Sequence, residues 1–120
     1  MDSKHITITR FFEALSAFDT DAMAALLAKD ATIKSAGAPA YHGCEAALRA
    51  ISDLSRSHTA FVAEPSRCLY DGDAAVVEWT ALVTDFGGGQ NKLDGCAVFD
   101  FDGELVKSAR FYWRPEDMHN

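Results

Sequence analysis

The sequence predicts an α+β domain in which helices lie on one face of an antiparallel sheet. Three observations predict it: apolar residues recur at helical spacing through the first half of the chain, the period changes to two in the second half, and Gly-containing turns cut that half into strands. With 120 residues, 48% hydrophobic and 24% charged, the chain suits one compact core, so a single domain over residues 1–120 is expected.

The first helix is expected around Ile8, Phe11, Phe12, Leu15 and Phe18, which follow the i, i+3, i+4, i+7 rule. Asp19-Thr20-Asp21 interrupts it. Asp19 or Thr20 is suited to cap a second helix whose stripe is Met23, Leu26 and Leu27 and which fades near Lys29-Asp30. A short strand from Ala31 to Ser35 follows. Ala36-Gly37-Ala38-Pro39 breaks regular structure, and after Tyr41-His42-Gly43 a third helix carries Ala47, Leu48, Ile51 and Leu54 on one side and ends near Ser57.

Four strands complete the chain: Thr59 to Tyr70, Ala74 to Phe86, Lys92 to Phe101 and Leu105 to Trp113. Asp71-Gly72-Asp73, Gly87-Gly88-Gly89-Gln90-Asn91 and Asp102-Gly103 turn between them. Pro65 predicts a bulge or an edge position. The three consecutive glycines join two strands and open no helix, so they read as a hairpin turn and not as a phosphate-binding loop.

Composition excludes several partner classes. A formal net charge of −7 argues against nucleic acid and against an anionic membrane surface. No run approaches the about 20 apolar residues of a membrane span, and Met1-Asp2-Ser3-Lys4-His5-Ile6-Thr7 lacks the apolar stretch of a secretory signal, so a cytoplasmic location is expected. Cys44, Cys68 and Cys96 contain no C-x-x-C and read as reduced thiols, and His5, His42, His58 and His119 show no ligand spacing. Neither a metal nor another cofactor is expected.

The strand from Ala74 to Val83 has two faces that both ask for cover. Ala75, Val77, Trp79, Ala81 and Val83 form a wholly apolar row, while Val76, Glu78, Thr80 and Leu82 form a mixed one. One side of the sheet is therefore expected to line an interior cavity and the other to pack on a second subunit. The expected arrangement is a homodimer through the outer face, with Val77, Trp79 and Ala81 at the contact.

Four phrases in order, Arg10-Phe11-Phe12-Glu13-Ala14-Leu15, Ala24-Ala25-Leu26-Leu27-Ala28-Lys29-Asp30-Ala31-Thr32, His42-Gly43-Cys44-Glu45-Ala46-Ala47-Leu48 and Val98-Phe99-Asp100-Phe101-Asp102-Gly103-Glu104-Leu105-Val106, resemble the nuclear transport factor 2-like superfamily. The narrower likeness is to its SnoaL-like polyketide cyclase and ketosteroid isomerase branch. The resemblance implies a cone-shaped, curved antiparallel sheet wrapped around three N-terminal helices, with a deep apolar pocket and usually a homodimer. It implies no single chemistry, because members include isomerases, cyclases, epoxide hydrolases, dehydratases and binding proteins without catalysis.

The functional groups of the catalytic branches are missing at the matching positions. The isomerase tyrosine falls on Phe11, its catalytic aspartate on Ser35 and its protonated aspartate on Ala97. The epoxide-hydrolase relay falls on Glu78, Thr80 and Phe111. The cyclase aspartate of the last strand falls within Ala109-Arg110-Phe111-Tyr112-Trp113.

The same register directs Phe11, Ile33, Ser35, Phe61, Glu78, Thr80, Leu82, Leu93, Ala97, Phe99, Phe101, Ala109, Phe111 and Trp113 inward. Such a lining suits a small hydrophobic molecule. A carboxylate among apolar side chains is a candidate general acid or base, which singles out Glu78. His42, expected in a loop near the cavity mouth, is its candidate partner in proton transfer. Thr80 and Ser35 are suited to orient a ligand, and the Trp113 indole N–H to donate to a ligand oxygen. Two functions stay open: proton-transfer chemistry of the isomerase, cyclase or lyase type, and a non-catalytic ligand-binding or protein-interaction dimer.

Overall fold

A computed structural model describes residues 3–35 and 38–114. The expected break at Ala36-Gly37 and the histidine at 119 lie outside the described residues. The elements run α1 (Ser3–Ser16), α2 (Thr20–Ala24), β1 (Leu27–Ser35), β2 (Tyr41–His42), α3 (Cys44–Ser57), β3 (His58–Asp71), β4 (Ala74–Asp85), β5 (Gln90–Asp102) and β6 (Leu105–Tyr112). The strands form one curved, unclosed sheet in the order β2-β1-β6-β5-β4-β3 with the helices packed on it, the cone that the resemblance implies. Every neighbouring pair is antiparallel except β1 with β6, which run parallel.

Helix α1 buries Ile8, Phe11, Phe12 and Ala14, and its C-terminal Ser16 is stitched to β3. The Ser16 hydroxyl donates to the Ala63 carbonyl at 3.0 Å and accepts from the Ala63 amide at 2.9 Å. At its other end Thr7 Oγ1 donates to the Glu104 carbonyl in the β5–β6 turn, 3.0 Å away. In the turn that follows, Phe18 takes a left-handed conformation (φ 52°) where glycine is the usual residue, while its ring packs on the core.

The second helix is shorter than its stripe predicts. Asp19 caps it by accepting from the Ala22 amide, but Leu27 is already strand, paired with Val106 of β6. The Leu26 carbonyl accepts from the Val106 amide at 2.8 Å. Pairing at Leu27, followed by an irregular stretch before the ladder resumes at Thr32, thus replaces the expected last helical turn, a case of tertiary contact overriding local pattern. Likewise Tyr41-His42 is a two-residue edge strand on β1, pairing His42 with Thr32, and not a loop.

Pro65 sits on the edge strand β3, and a bulge falls between Pro65 and Arg67, as its ring requires. The extra residue switches the inward set of β3 from Phe61 and Ala63 to Cys68. The Gly87–Gly89 segment is the β4–β5 hairpin connection: Asp85 Oδ1 accepts from the Gly87 and Gly89 amides, both at 2.9 Å.

Candidate functional site

The face of β4 that turns inward decides the chemistry of the interior. In the β4–β5 ladder Ala75 pairs with Phe99, Val77 with Ala97, Trp79 with Gly95 and Ala81 with Leu93. Directly paired residues share a face. Phe99, Ala97 and Leu93 are buried, so the odd row of β4 is buried with them and the even row faces outward.

This corrects the expected placement of Glu78, Thr80 and Leu82, all of which lie on the outer face. The Glu78 side chain is 57% exposed, with Oε1 3.9 Å from Arg67 Nη1 on β3. His42 is exposed too: it pairs with Thr32, which shares the outer face of β1, so it does not accompany Glu78 at a cavity mouth. The dimer contact expected at Val77, Trp79 and Ala81 is also corrected, because those residues are in the core. The physical reason is common to all. The wholly apolar row gains most from leaving water, and the row with a carboxylate and a hydroxyl loses least by staying in it.

A partly open cavity of about 140 Å³ lies between the helices and the concave face of the sheet. Phe11, Phe12 and Leu15 of α1 and Met23 of α2 line one side, and Ala47, Ala50, Ile51 and Leu54 of α3 line another. The sheet contributes Ile33, Ser35, Phe61, Ala63, Trp79 and Phe111, with Trp113 just beyond β6. Of the expected ligand-contact residues, Phe11, Ser35, Phe61, Phe111 and Trp113 are brought together here. Ala97 and Phe99 face inward but are covered by core packing; Phe99, for example, meets the Phe11 ring edge-on at 5.1 Å between centroids.

Among the described residues, no titratable side chain lines this cavity. Phe11, Ser35, Ala97 and Phe111, which face inward, carry no acid or base, and Glu78 and Thr80 lie on the other face of β4. The described residues also hold no group of three or more His, Cys, Asp or Glu that could bind a metal ion. No helix among them is long and apolar enough to cross a membrane.

Ser35 is therefore the one residue of the described lining with a polar side chain besides the two tryptophans, whose indole nitrogens are turned away from the open space. Trp79 is only 3% exposed. Neither its Nε1 nor that of Trp113 has a hydrogen-bond partner, although both nitrogens are shut off from solvent. A buried donor left this way costs about 1–3 kcal/mol. The two indoles meet edge to face, with centroids 6.0 Å apart and planes at 74°, and Trp79 touches Phe111 in the same manner at 6.1 Å.

Gly95 makes that meeting possible. It stands across from Trp79, and Cys96 after it pairs with Tyr112, so Trp113 comes alongside. A Cβ at 95 would lie against the Trp79 ring and 2.6 Å from the Tyr112 carbonyl. Trp79 is among the site residues that reading the sequence misses, as are Ala50 and Ala63. The signal for Trp79 was parity: a five-residue connection pairs odd positions with odd, so an inward Ala97 requires an inward Val77 and Trp79.

Comparison with known proteins agrees with this fold. The model of the SnoaL-like domain family matches residues 8–109. An NTF2-like protein of unknown function from Burkholderia pseudomallei superposes with a TM-score of 0.90 at 19% identity, over 98% of this chain and 95% of that one. An epoxide hydrolase of the LEH-like type from Mycobacterium tuberculosis gives 0.84 at 22%, over 97% and 86%. A protein of ketosteroid isomerase-like fold from Catenulispora acidiphila, solved in complex with trimethylamine, gives 0.87 at 16%, over 92% and 87%. No curated protein matches the sequence. At these identities the structural likenesses show the fold, and the family match carries the assignment: the chain belongs to the SnoaL-like domain family.

Proposed function

We propose that this protein binds a small hydrophobic molecule in the cavity between its helices and sheet, without acid–base catalysis by Glu78 or His42. One observation carries this reading: apart from Ser35 the described lining is aromatic and aliphatic, and it has no side chain able to take or give a proton near neutral pH. Desolvation of the apolar lining favours an apolar occupant. Glu78, ion-paired on the outer face, supports the binding reading over proton-transfer chemistry.

A thermal-shift titration with one-ring hydrocarbons tests the proposal. A ligand selective for the folded state raises Tm progressively with its concentration. No shift with any apolar one-ring compound contradicts it.

A second reading concerns assembly. The outer face exposes Val62 and Leu82, paired across β3 and β4, with Leu69, Val76 and Tyr112 nearby in the same sheet. Exposed apolar residues gathered on one sheet face favour a homodimer, now through the even row of β4 in place of Val77, Trp79 and Ala81.

A further inference from the structure

Ser35 closes β1, and its place in the sheet decides where a polar group meets the cavity. It pairs with Phe111 of β6, and Ile33 two residues earlier pairs with Ala109. Ile33, Ala109 and Phe111 are all buried, so the Ser35 side chain stands on the inward face with them, where it lines the cavity. Its hydroxyl has no hydrogen-bond partner among the described residues, yet it is not sealed off as the two indole nitrogens are. Ser35 is half-buried, as are Leu54, Phe61 and Trp113 of the same lining, whereas Phe11, Phe12 and Met23 are at most 1% exposed. The lining thus has a closed apolar floor and a rim, and Ser35 belongs to the rim.

We infer that the occupant of this cavity is a one-ring amphiphile, a hydrocarbon body with a single uncharged oxygen, and that Ser35 holds the oxygen at the rim while the body lies on the floor. This rests on the reading of the cavity as a binding site and deepens it by naming the ligand's chemistry and orientation. A serine hydroxyl both donates and accepts, so it matches an alcohol, a phenol or a ketone. A hydrocarbon covering the hydroxyl would take away its bond to water and return nothing, and an oxygen in the same place replaces that bond.

The lining asks for one oxygen and no more, because Ser35 is its one described polar side chain besides the two tryptophans, whose nitrogens are turned away from the open space. The oxygen is uncharged because no basic side chain among the described residues lines the cavity to compensate a carboxylate. The size follows from the volume of about 140 Å³, since an apolar cavity of about 150 Å³ accepts benzene.

Phenol and toluene separate the anchor from the cavity, because they differ by OH against CH3 at nearly the same shape. Toluene is expected to bind the parent and Ser35→Ala comparably. In Ser35→Ala the ratio of the two affinities should shift against phenol by about tenfold, the worth of one good hydrogen bond. In the unmodified protein the ortho protons of phenol, next to its hydroxyl, should give stronger nuclear Overhauser contacts to the Ser35 β-protons than the para proton gives. Benzoate should bind far more weakly than phenol.

An unchanged ratio in a folded Ser35→Ala, or a para proton nearer to Ser35 than the ortho protons, overturns the anchor while the binding site stands. Benzoate binding as tightly as phenol overturns the uncharged ligand. If neither phenol nor toluene binds, the reading of the cavity falls and this inference falls with it. The proton contacts are read on the unmodified protein, so they decide the matter even where Ser35→Ala does not fold.

Discussion

Trp79 stands directly across the β4–β5 ladder from Gly95, and its indole fills the space that a side chain at 95 would take. The pair sets the shape of the cavity wall, because the ring lies over the backbone of β5 and so reaches Phe111 and Trp113 on the far side. Gly95→Ala should therefore push the indole off its floor. The expected cost is about 1–3 kcal/mol of stability, typical of overpacking, read as a lower urea midpoint at constant slope. A midpoint equal to the parent's would mean that the ring yields freely.

Filling the cavity separates binding from folding. Ala50 faces the cavity from α3, and leucine there is a good helix former whose three extra carbons occupy much of about 140 Å³. Ala50→Leu should keep or raise Tm while weakening the binding of a one-ring probe by about tenfold or more, since burying its added carbons replaces the ligand's own contribution. The check is a parallel thermal melt and titration. Unweakened binding would move the ligand elsewhere.

Glu78→Gln tests the outer placement of the one acid that reading the sequence directs inward. The ion pair with Arg67 spans 3.9 Å between well-exposed groups, so solvent screening leaves it worth little. Stability should change by less than about 0.5 kcal/mol, and probe affinity not at all. Loss of binding in a folded variant would return Glu78 to the site.

The contrast between Glu78 and Trp79 shows where pattern reading succeeds and where it stops. Element type, the helical stripes at Ile8, Phe11 and Phe12, the turns at Gly72 and Gly103 and the bulge at Pro65 follow from local chemistry that acts within a few residues. The inward face of β4 depends on pairing parity, and one residue of register exchanges every side chain between core and solvent. Both rows of that strand contain enough apolar residues for either to be read as buried. The neighbouring strand resolves them, because Ala97 and Phe99 face inward and carry Val77 and Ala75 with them. The parallel pairing of Leu27 with Val106 is likewise a long-range contact that overrides a plausible helical stripe. The cavity combines residues that reading the sequence places on helix stripes, such as Leu15, Ile51 and Leu54, with strand residues from a different part of the chain. Only the curvature of the sheet brings these sets to one wall.

The outer face makes a prediction about assembly. Leu82 is 43% exposed beside Val62 at 56%, in the row opposite to the core. A dimer that buries this row should dissociate in Leu82→Arg, which sets a charge against its symmetry mate. Sedimentation equilibrium is expected to give a dimer for the parent and a monomer of unchanged melting behaviour in the fold itself for the variant. A parent that is monomeric at high protein concentration would remove the proposal.

The most direct measurement of the binding claim uses the two tryptophans as reporters, since both line the cavity. Tryptophan emission is followed while a non-absorbing one-ring compound, methylenecyclohexane, is added to the parent and to Ala50→Leu. The expected result is a saturable change in the parent that is lost or strongly weakened in the filled variant; a linear, unsaturable response identical in both proteins would contradict a binding cavity at this place.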